Sequence, residues 1–133
     1  MDSIVIDITT GSTLVSDLTP QLERFCQNRG DGLVNVFVPH ATAGIGLMET
    51  GSGSEPDLRQ AIGRLLPRDI SYRHHHGSPG HGGDHLLPVF VSPSLTLPVL
   101  AGEAALGTWQ RLVVIDTNVD NPQRRVRFSF VEG

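Results

Sequence analysis

Gly32-Leu33-Val34-Asn35-Val36-Phe37-Val38-Pro39 is the stretch on which the fold turns. It is strongly apolar and β-branched, so it predicts a buried strand, and Pro39 ends it because proline has no N–H to give to a ladder. The next residues, His40-Ala41-Thr42-Ala43-Gly44, form a turn that sets a histidine at a strand end before a second apolar run, Ile45 to Met48.

Toward the N-terminus, Ile4, Ile6 and Ile8 alternate with Val5, Asp7 and Thr9, the pattern of a half-buried strand that closes at Thr10-Gly11. A helix follows. Thr19 can cap it, Pro20 suits its first turn, and Leu18, Leu22 and Phe25 share one face until Gly30. Toward the C-terminus a second helix begins near Ser54, which with Asp57 resembles a capping box, and Pro67 ends it. Its stripe of Leu58, Ile62, Leu65 and Leu66 reads as core. Leu86 to Val91 is apolar but broken by Pro88, which fits a helix as well as a strand. Leu95 to Val99, Trp109 to Ile115 and Val126 to Phe130 read as strands, with Ala101-Gly102-Glu103 a turn between the first two. Helices come early and strands dominate the end, with no regular βαβ alternation. The expectation is a single α+β domain over residues 1–133, a mostly antiparallel sheet with two main helices.

At 133 residues and 38% hydrophobic content the chain can bury a core and is not wholly disordered. Its formal net charge of -4 offers no broad basic field, so nucleic acid is not an expected partner. Arg124, Arg125 and Arg127 read as the solvated face of a strand. Cys26 is the sole cysteine, which rules out an intrachain disulfide. No apolar run approaches a membrane span, and Met1-Asp2-Ser3-Ile4-Val5 lacks the pattern of a signal peptide, so a cytoplasmic location without membrane partners is expected.

Five of the six histidines fall within Arg73-His74-His75-His76-Gly77-Ser78-Pro79-Gly80-His81-Gly82-Gly83-Asp84-His85. Crowded imidazoles repel one another when protonated, so a metal or an anion is the first candidate for what holds them. The triplet His74 to His76 reads as a solvated loop, because adjacent side chains seldom converge on one ion. His81 and His85, four apart, share a helix face or alternate strand positions, and Asp84 beside them can orient an imidazole. A catalytic zinc site commonly takes three protein ligands and leaves one position open, and His40 is the expected third. Glu49, at the end of an apolar strand, is placed to act as acid or base. Ser52 and Ser54 lie in a Gly-Ser loop that enters the second helix, where backbone amides could meet a phosphate, although a plain capped loop has the same pattern. In Gly107-Thr108-Trp109-Gln110 the tryptophan reads as core or interface, and Thr108 and Gln110 could hydrogen-bond a ligand. No nucleophile elbow, dinucleotide fingerprint, P-loop or Cys-x-x-Cys pair is present.

Pro39-His40-Ala41-Thr42-Ala43-Gly44-Ile45, Glu55-Pro56-Asp57-Leu58, Asp84-His85-Leu86, and Ser94-Leu95-Thr96-Leu97-Pro98-Val99 followed by Ala105-Leu106-Gly107-Thr108-Trp109-Gln110 come in an order that resembles the YjbQ-like family, described as secondary thiamine-phosphate synthases. The resemblance implies a compact α+β subunit, a homotrimer with sites near subunit boundaries, and a histidine cluster able to hold a divalent metal, zinc foremost. It also implies a transfer on small phosphorylated substrates, joining a pyrimidine pyrophosphate to a thiazole phosphate with loss of pyrophosphate. By position, His40, His85, Glu49, Trp109 and Gln110 match the family pattern, and His74 resembles its histidine after an aromatic residue, here Tyr72. The expected roles are His40, His81 and His85 on the metal, Glu49 and Gln110 in catalysis, and Thr96, Thr108, Trp109, Ser52 and Ser54 around the substrate. Metal-dependent hydrolysis and a non-catalytic metal- or ligand-binding trimer are the alternatives. Gly82-Gly83-Asp84 departs from the family's usual run before His85, which leaves the third ligand open between His81 and the triplet.

Overall fold

Leu112-Val113-Val114-Ile115 is apolar at every position, so both faces of this strand must be covered. In the computed structural model, which describes residues 1–133, it lies at the centre of the molecule. The elements in chain order are β1 (Asp2–Thr9), β2 (Val15–Asp17), α1 (Thr19–Cys26), β3 (Gly32–Phe37), β4 (Ala43–Met48), α2 (Ser54–Leu65), α3 (His81–Asp84), α4 (Leu87–Phe90), β5 (Ser94–Leu100), β6 (Glu103–Ala104), β7 (Arg111–Asp116) and β8 (Gln123–Glu132).

They build two sheets in one α+β domain, a five-stranded sheet in the order β1-β8-β3-β5-β6 and a three-stranded sheet in the order β2-β7-β4. Every pairing is antiparallel. Alternation sets the faces. Val34, Val36, Val126 and Phe128 point inward and meet Leu112 and Val114 of β7, together with Leu22 and Phe25 of α1. The opposite face of β7 turns Val113 and Ile115 toward Ile62 and Leu66 at the C-terminal end of α2 and Leu87 of α4, which form a second core. The small sheet is thus the middle of three layers, and the site described below hangs on the helical layer.

The predicted strands and both longer helices are present, with four differences of physical interest. Ser54 does not cap α2: Gly53 holds the N-cap position at φ 96°, and the Glu55 carboxylate accepts the Gly51 N–H at 3.1 Å. Thr19 does not cap α1 either; its hydroxyl accepts the Leu112 N–H at 2.9 Å, and Asp17 takes the Thr19 N–H at 2.7 Å. Trp109 sits in the turn before β7 and is 72% exposed, so it is not a core residue of this chain. Arg124 is buried and ion-paired, not solvated as expected, because its β8 position faces the core.

Gly44 of β4 lies under the segment that leaves α4. A Cβ there would stand 2.1 Å from the Val91 carbonyl oxygen. Gly44→Ala is therefore expected to lower the urea midpoint at unchanged slope, with a loss of about 1–3 kcal/mol from overpacking.

Candidate metal centre

A single helical turn carries the first two candidate ligands. His81 and His85 are one turn apart across α3, so their rings project from the same side, and their Nε2 atoms approach to 3.0 Å. Two imidazole nitrogens at this distance either share a proton or turn two lone pairs toward one point. Ligand nitrogens at about 2.0–2.1 Å from a tetrahedral zinc stand roughly 3.3 Å apart, close to the observed separation.

His74 is the third member. Ligand nitrogens of His74, His81 and His85 all lie within 4.8 Å of one another. The His74 ring centroid is 4.2 Å from that of His85 and 5.4 Å from that of His81, while the His76 ring lies tilted beside His74 at 4.1 Å. Gly82 makes this possible. With a side chain there, its Cβ would meet the His74 carbonyl oxygen at 2.4 Å and the Tyr72 Cβ at 2.4 Å, so only glycine lets residues 72–74 lie directly on α3. The Tyr72 hydroxyl anchors the segment by donating to the Pro67 carbonyl at 2.7 Å.

His81 is oriented from behind. Its Nδ1 lies 3.0 Å from an Asp120 carboxylate oxygen and 3.6 Å from one of Asp84. The Asn118 amide nitrogen is also close, at 3.1 Å, but the Asn118 carbonyl oxygen accepts the Asp120 and Asn121 N–H groups, which fixes that nitrogen as a donor. The Asn118 amide N–H is the group in hydrogen-bond geometry with Nδ1, while the two carboxylates stand beside it at ion-pair distance. The tautomer with the proton on Nδ1, which the carboxylates favour, requires that amide to turn to Asp84 at 3.5 Å. A proton on Nδ1 leaves the Nε2 lone pair facing His85. This is the arrangement by which carboxylates prepare metal-binding histidines. Asp120 stays ionised because the Ser78 N–H and hydroxyl both donate to it and hold its carboxyl below the usual range, against a smaller desolvation effect. Asp84 is buried and mainly serves Arg68, which donates to it at 2.6 Å, and the Thr117 hydroxyl, at 2.8 Å. The His85 pKa is lowered, first by burial and then by neighbouring His74, His81 and His76, which keeps its lone pair available near neutral pH.

His40, the expected third ligand, lies outside this group. Its Nε2 accepts the Arg125 N–H of β8 at 2.9 Å, which places the ring proton on Nδ1 and commits the ring to the backbone. Glu49, Thr108, Trp109 and Gln110 gather at the other end of the small sheet. In the β4–β7 register Met48 faces Arg111 while Ala43 faces Asp116, so roughly 17 Å of strand separates the two ends. There Gln110 accepts the Gly107 N–H at 2.8 Å and, with Thr108, lines a polar groove beside Glu23 of α1 and Gln27, which follows it. Thr96 lies on the outer face of the large sheet and accepts from the Asn35 amide at 3.1 Å. Ser52 lies in the loop before α2 and Ser54 is its first residue; the Glu55 carboxylate accepts the Gly51 N–H and so sets a negative charge beside this loop, a poor setting for phosphate. Asp120 and Asn118 went unread in the sequence; an Asp-x-Asn-x-Asp spacing after an apolar strand, from Asp116 to Asp120, is their only local mark.

A family model described as UPF0047 protein YjbQ-like matches residues 4–133. The chain belongs to this family. It is 58% identical over 133 residues to the UPF0047 protein Rv2556c of Mycobacterium tuberculosis, with all of both chains covered. It is 33% identical over 111 residues to a UPF0047 protein of Archaeoglobus fulgidus, covering 84% of this chain and 85% of the relative. Among solved structures it is similar to the hypothetical protein APE1520 of Aeropyrum pernix K1, at TM-score 0.88 and 26% identity over 100% of each chain. The YbjQ-like protein of unknown function SSO2532 of Sulfolobus solfataricus P2 shares the fold, at TM-score 0.87 and 22% identity over 99% of each chain. No helix of this YjbQ-like chain is long and apolar enough to cross a membrane.

Burial, with the positive charge of Arg124 next, lowers the pKa of His40. A histidine whose folded pKa lies below its unfolded value binds fewer protons when folded, so stability falls as pH drops below about 6.5 and levels off beneath the folded pKa. Thermal midpoints should therefore decline over that window. His40→Gln, whose amide oxygen can still accept the Arg125 N–H, should flatten part of the decline, and an unchanged slope would show that His40 is not protonated on unfolding.

Proposed function

We propose that this chain is a metal-dependent enzyme in which His74, His81 and His85 hold a divalent ion, zinc foremost, and that it acts on a small phosphorylated substrate. The observation that carries the reading is the convergence of three ring nitrogens within 4.8 Å, one of them oriented by Asp120. His74 replaces His40 in the ligand set expected from the sequence. Three imidazoles supply neutral donors of the kind zinc takes and leave a fourth position for substrate. When bound, the ion would neutralise charge developing on a leaving phosphate or pyrophosphate oxygen. The choice of a thiamine-phosphate-synthase-like transfer over hydrolysis rests on the resemblance of the chain's segments to those of the YjbQ-like family.

The proposal includes a homotrimer in the cytoplasm. Leu33 and Val131 are cross-strand neighbours exposed on the outer face of the large sheet, with Leu100 exposed on β5 and Phe37 exposed beyond the polar pair of Asn35 and Thr96, a mixed surface that a subunit interface could cover. Trp109 and Phe90 add exposed aromatic area elsewhere. Assembly is also what could bring Glu49 and Gln110 of one copy to the histidines of another, since the single chain holds them apart.

Protein purified without an affinity tag and exposed to zinc should retain one ion per chain by elemental analysis. His74→Ala and His85→Ala should lose it, whereas His40→Ala should keep it. Asp120→Asn should weaken affinity by about 10–100-fold, the usual effect of removing a carboxylate behind a ligating histidine. Wild-type protein that takes up no zinc, or a His74→Ala variant that keeps it, would sink the ligand assignment.

Two further measurements bear on the enzyme itself. Pyrophosphate release from a pyrimidine pyrophosphate should require the thiazole phosphate acceptor, and Glu49→Gln should lower kcat by about 10²–10⁴-fold with zinc content unchanged, the range expected for a general acid or base. Release without acceptor would establish hydrolysis instead. Light scattering should give three times the chain mass, and a monomer would remove the shared site.

A further inference from the structure

Behind the metal centre, between α2 and the loop that follows β7, lies a cavity of about 190 Å³. Leu14, Ile62, Leu66 and Val119 give it apolar walls, and Arg59 and Arg68 bring guanidinium groups to it. Its two carboxylates are both neutralised in place: Asp84 pairs with Arg68 at 2.6 Å and Asp116 with Arg124 at 2.6 Å. Arg59 forms neither a hydrogen bond nor an ion pair within the chain, so one positive charge is left over at a largely apolar hollow.

Gly63 is the second observation. It lies inside α2 on the cavity side, and a Cβ built there meets nothing within 4 Å. Glycine is the costlier choice in a helix interior, and here no steric contact demands it. Its effect is to leave the hollow open. An apolar cavity of about 150 Å³ is enough to bind benzene, so this one has room for a ring of that size and for a headgroup at its mouth.

We propose that the cavity binds a small organic anion, an apolar body about the size of a benzene ring bearing one carboxylate or phosphate. The body lies against Ile62, Leu66 and Val119 over Gly63, and the headgroup meets Arg59. The cavity shares Asp84 and Asn118 with the groups behind His81, but no histidine lines it and it needs no bound metal.

Benzoate and phenyl phosphate are suitable probes, titrated into the intact protein by calorimetry and by amide chemical-shift mapping, with benzyl alcohol and inorganic phosphate as controls. One or both anions should bind saturably at one site per chain, with shifts centred on residues 59–66 and 117–119. Which anion binds tells whether the headgroup chemistry is carboxylate or phosphate. Benzyl alcohol should bind at least about tenfold more weakly, and inorganic phosphate alone should not saturate, because each lacks one half of the recognition. Arg59→Gln should weaken binding about tenfold, and Gly63→Leu should abolish it by filling the space. His85→Ala should bind the probe unchanged, which separates this site from the metal centre. The idea is overturned if neither anion binds, if benzyl alcohol binds as well as benzoate, or if folded Gly63→Leu protein still binds. Should Gly63→Leu not fold, an Arg59→Gln variant with undiminished affinity overturns it equally.

Discussion

The pairing of Asp116 with Arg124 is the constraint from which most of this structure follows. Asp116 ends β7 in the small sheet and Arg124 is the second residue of β8 in the large one, and both side chains are almost wholly buried. Arg124 donates to both carboxylate oxygens, at 2.6 and 3.2 Å, and to the Thr42 hydroxyl at 2.8 Å. Asp116 also accepts the Thr10 hydroxyl at 3.0 Å and the Asn118 N–H at 2.9 Å. Such a pair is weak evidence for net stability, because desolvation offsets much of the attraction, but removing either partner strands a buried charge at a cost of about 3–5 kcal/mol. What it supplies is registration: the two sheets can meet in only one way if both charges are to be satisfied.

That registration reaches the histidines through a short relay. Asp116 fixes Asn118, the Asn118 carbonyl oxygen gathers the N–H groups of Asp120 and Asn121, and Asp120 meets His81. The first two steps are hydrogen bonds of 2.9 Å and the last is an ion-pair contact of 3.0 Å, so the carboxylate beside the imidazole is placed from the core outward. The loop around His74 is less constrained by packing, and it gains its place by lying on Gly82. Mutual repulsion among protonated rings is avoided because His85 is held toward its neutral form by burial and by the other imidazoles. On the proposed reading, a cation would meet this cluster in the pH range where zinc and protons compete for the same lone pairs.

The periodic parts of this fold were legible in the sequence, and the reasons are local. The apolar, β-branched run that ends at Val38 announces β3, and the stripe of Leu58, Ile62, Leu65 and Leu66 announces α2, although Leu65 faces solvent. The pairing of His81 with His85 could be read from their spacing alone. His74 could not, because its approach depends on the missing side chain of Gly82 and on Tyr72 reaching Pro67. Arg124 reads as surface in a run of three arginines until the register shows it facing inward while Arg125 and Arg127 face out. β2, with only Val15, Ser16 and Asp17, is too short to carry a pattern. His40 looked like a ligand because strand ends favour sites, and only the fold shows its ring bonded to the Arg125 backbone.

The central claim is that His74, His81 and His85 form one metal centre aimed by Asp120. Anomalous diffraction across the zinc absorption edge, from zinc-treated crystals of the untagged protein, tests it most directly. The account predicts a single strong peak per chain at about 2.0–2.1 Å from one nitrogen of each of these three histidines, with His81 bound through Nε2. A peak bound by His40 in place of His74, or full zinc treatment that leaves the cluster without a peak, would contradict it.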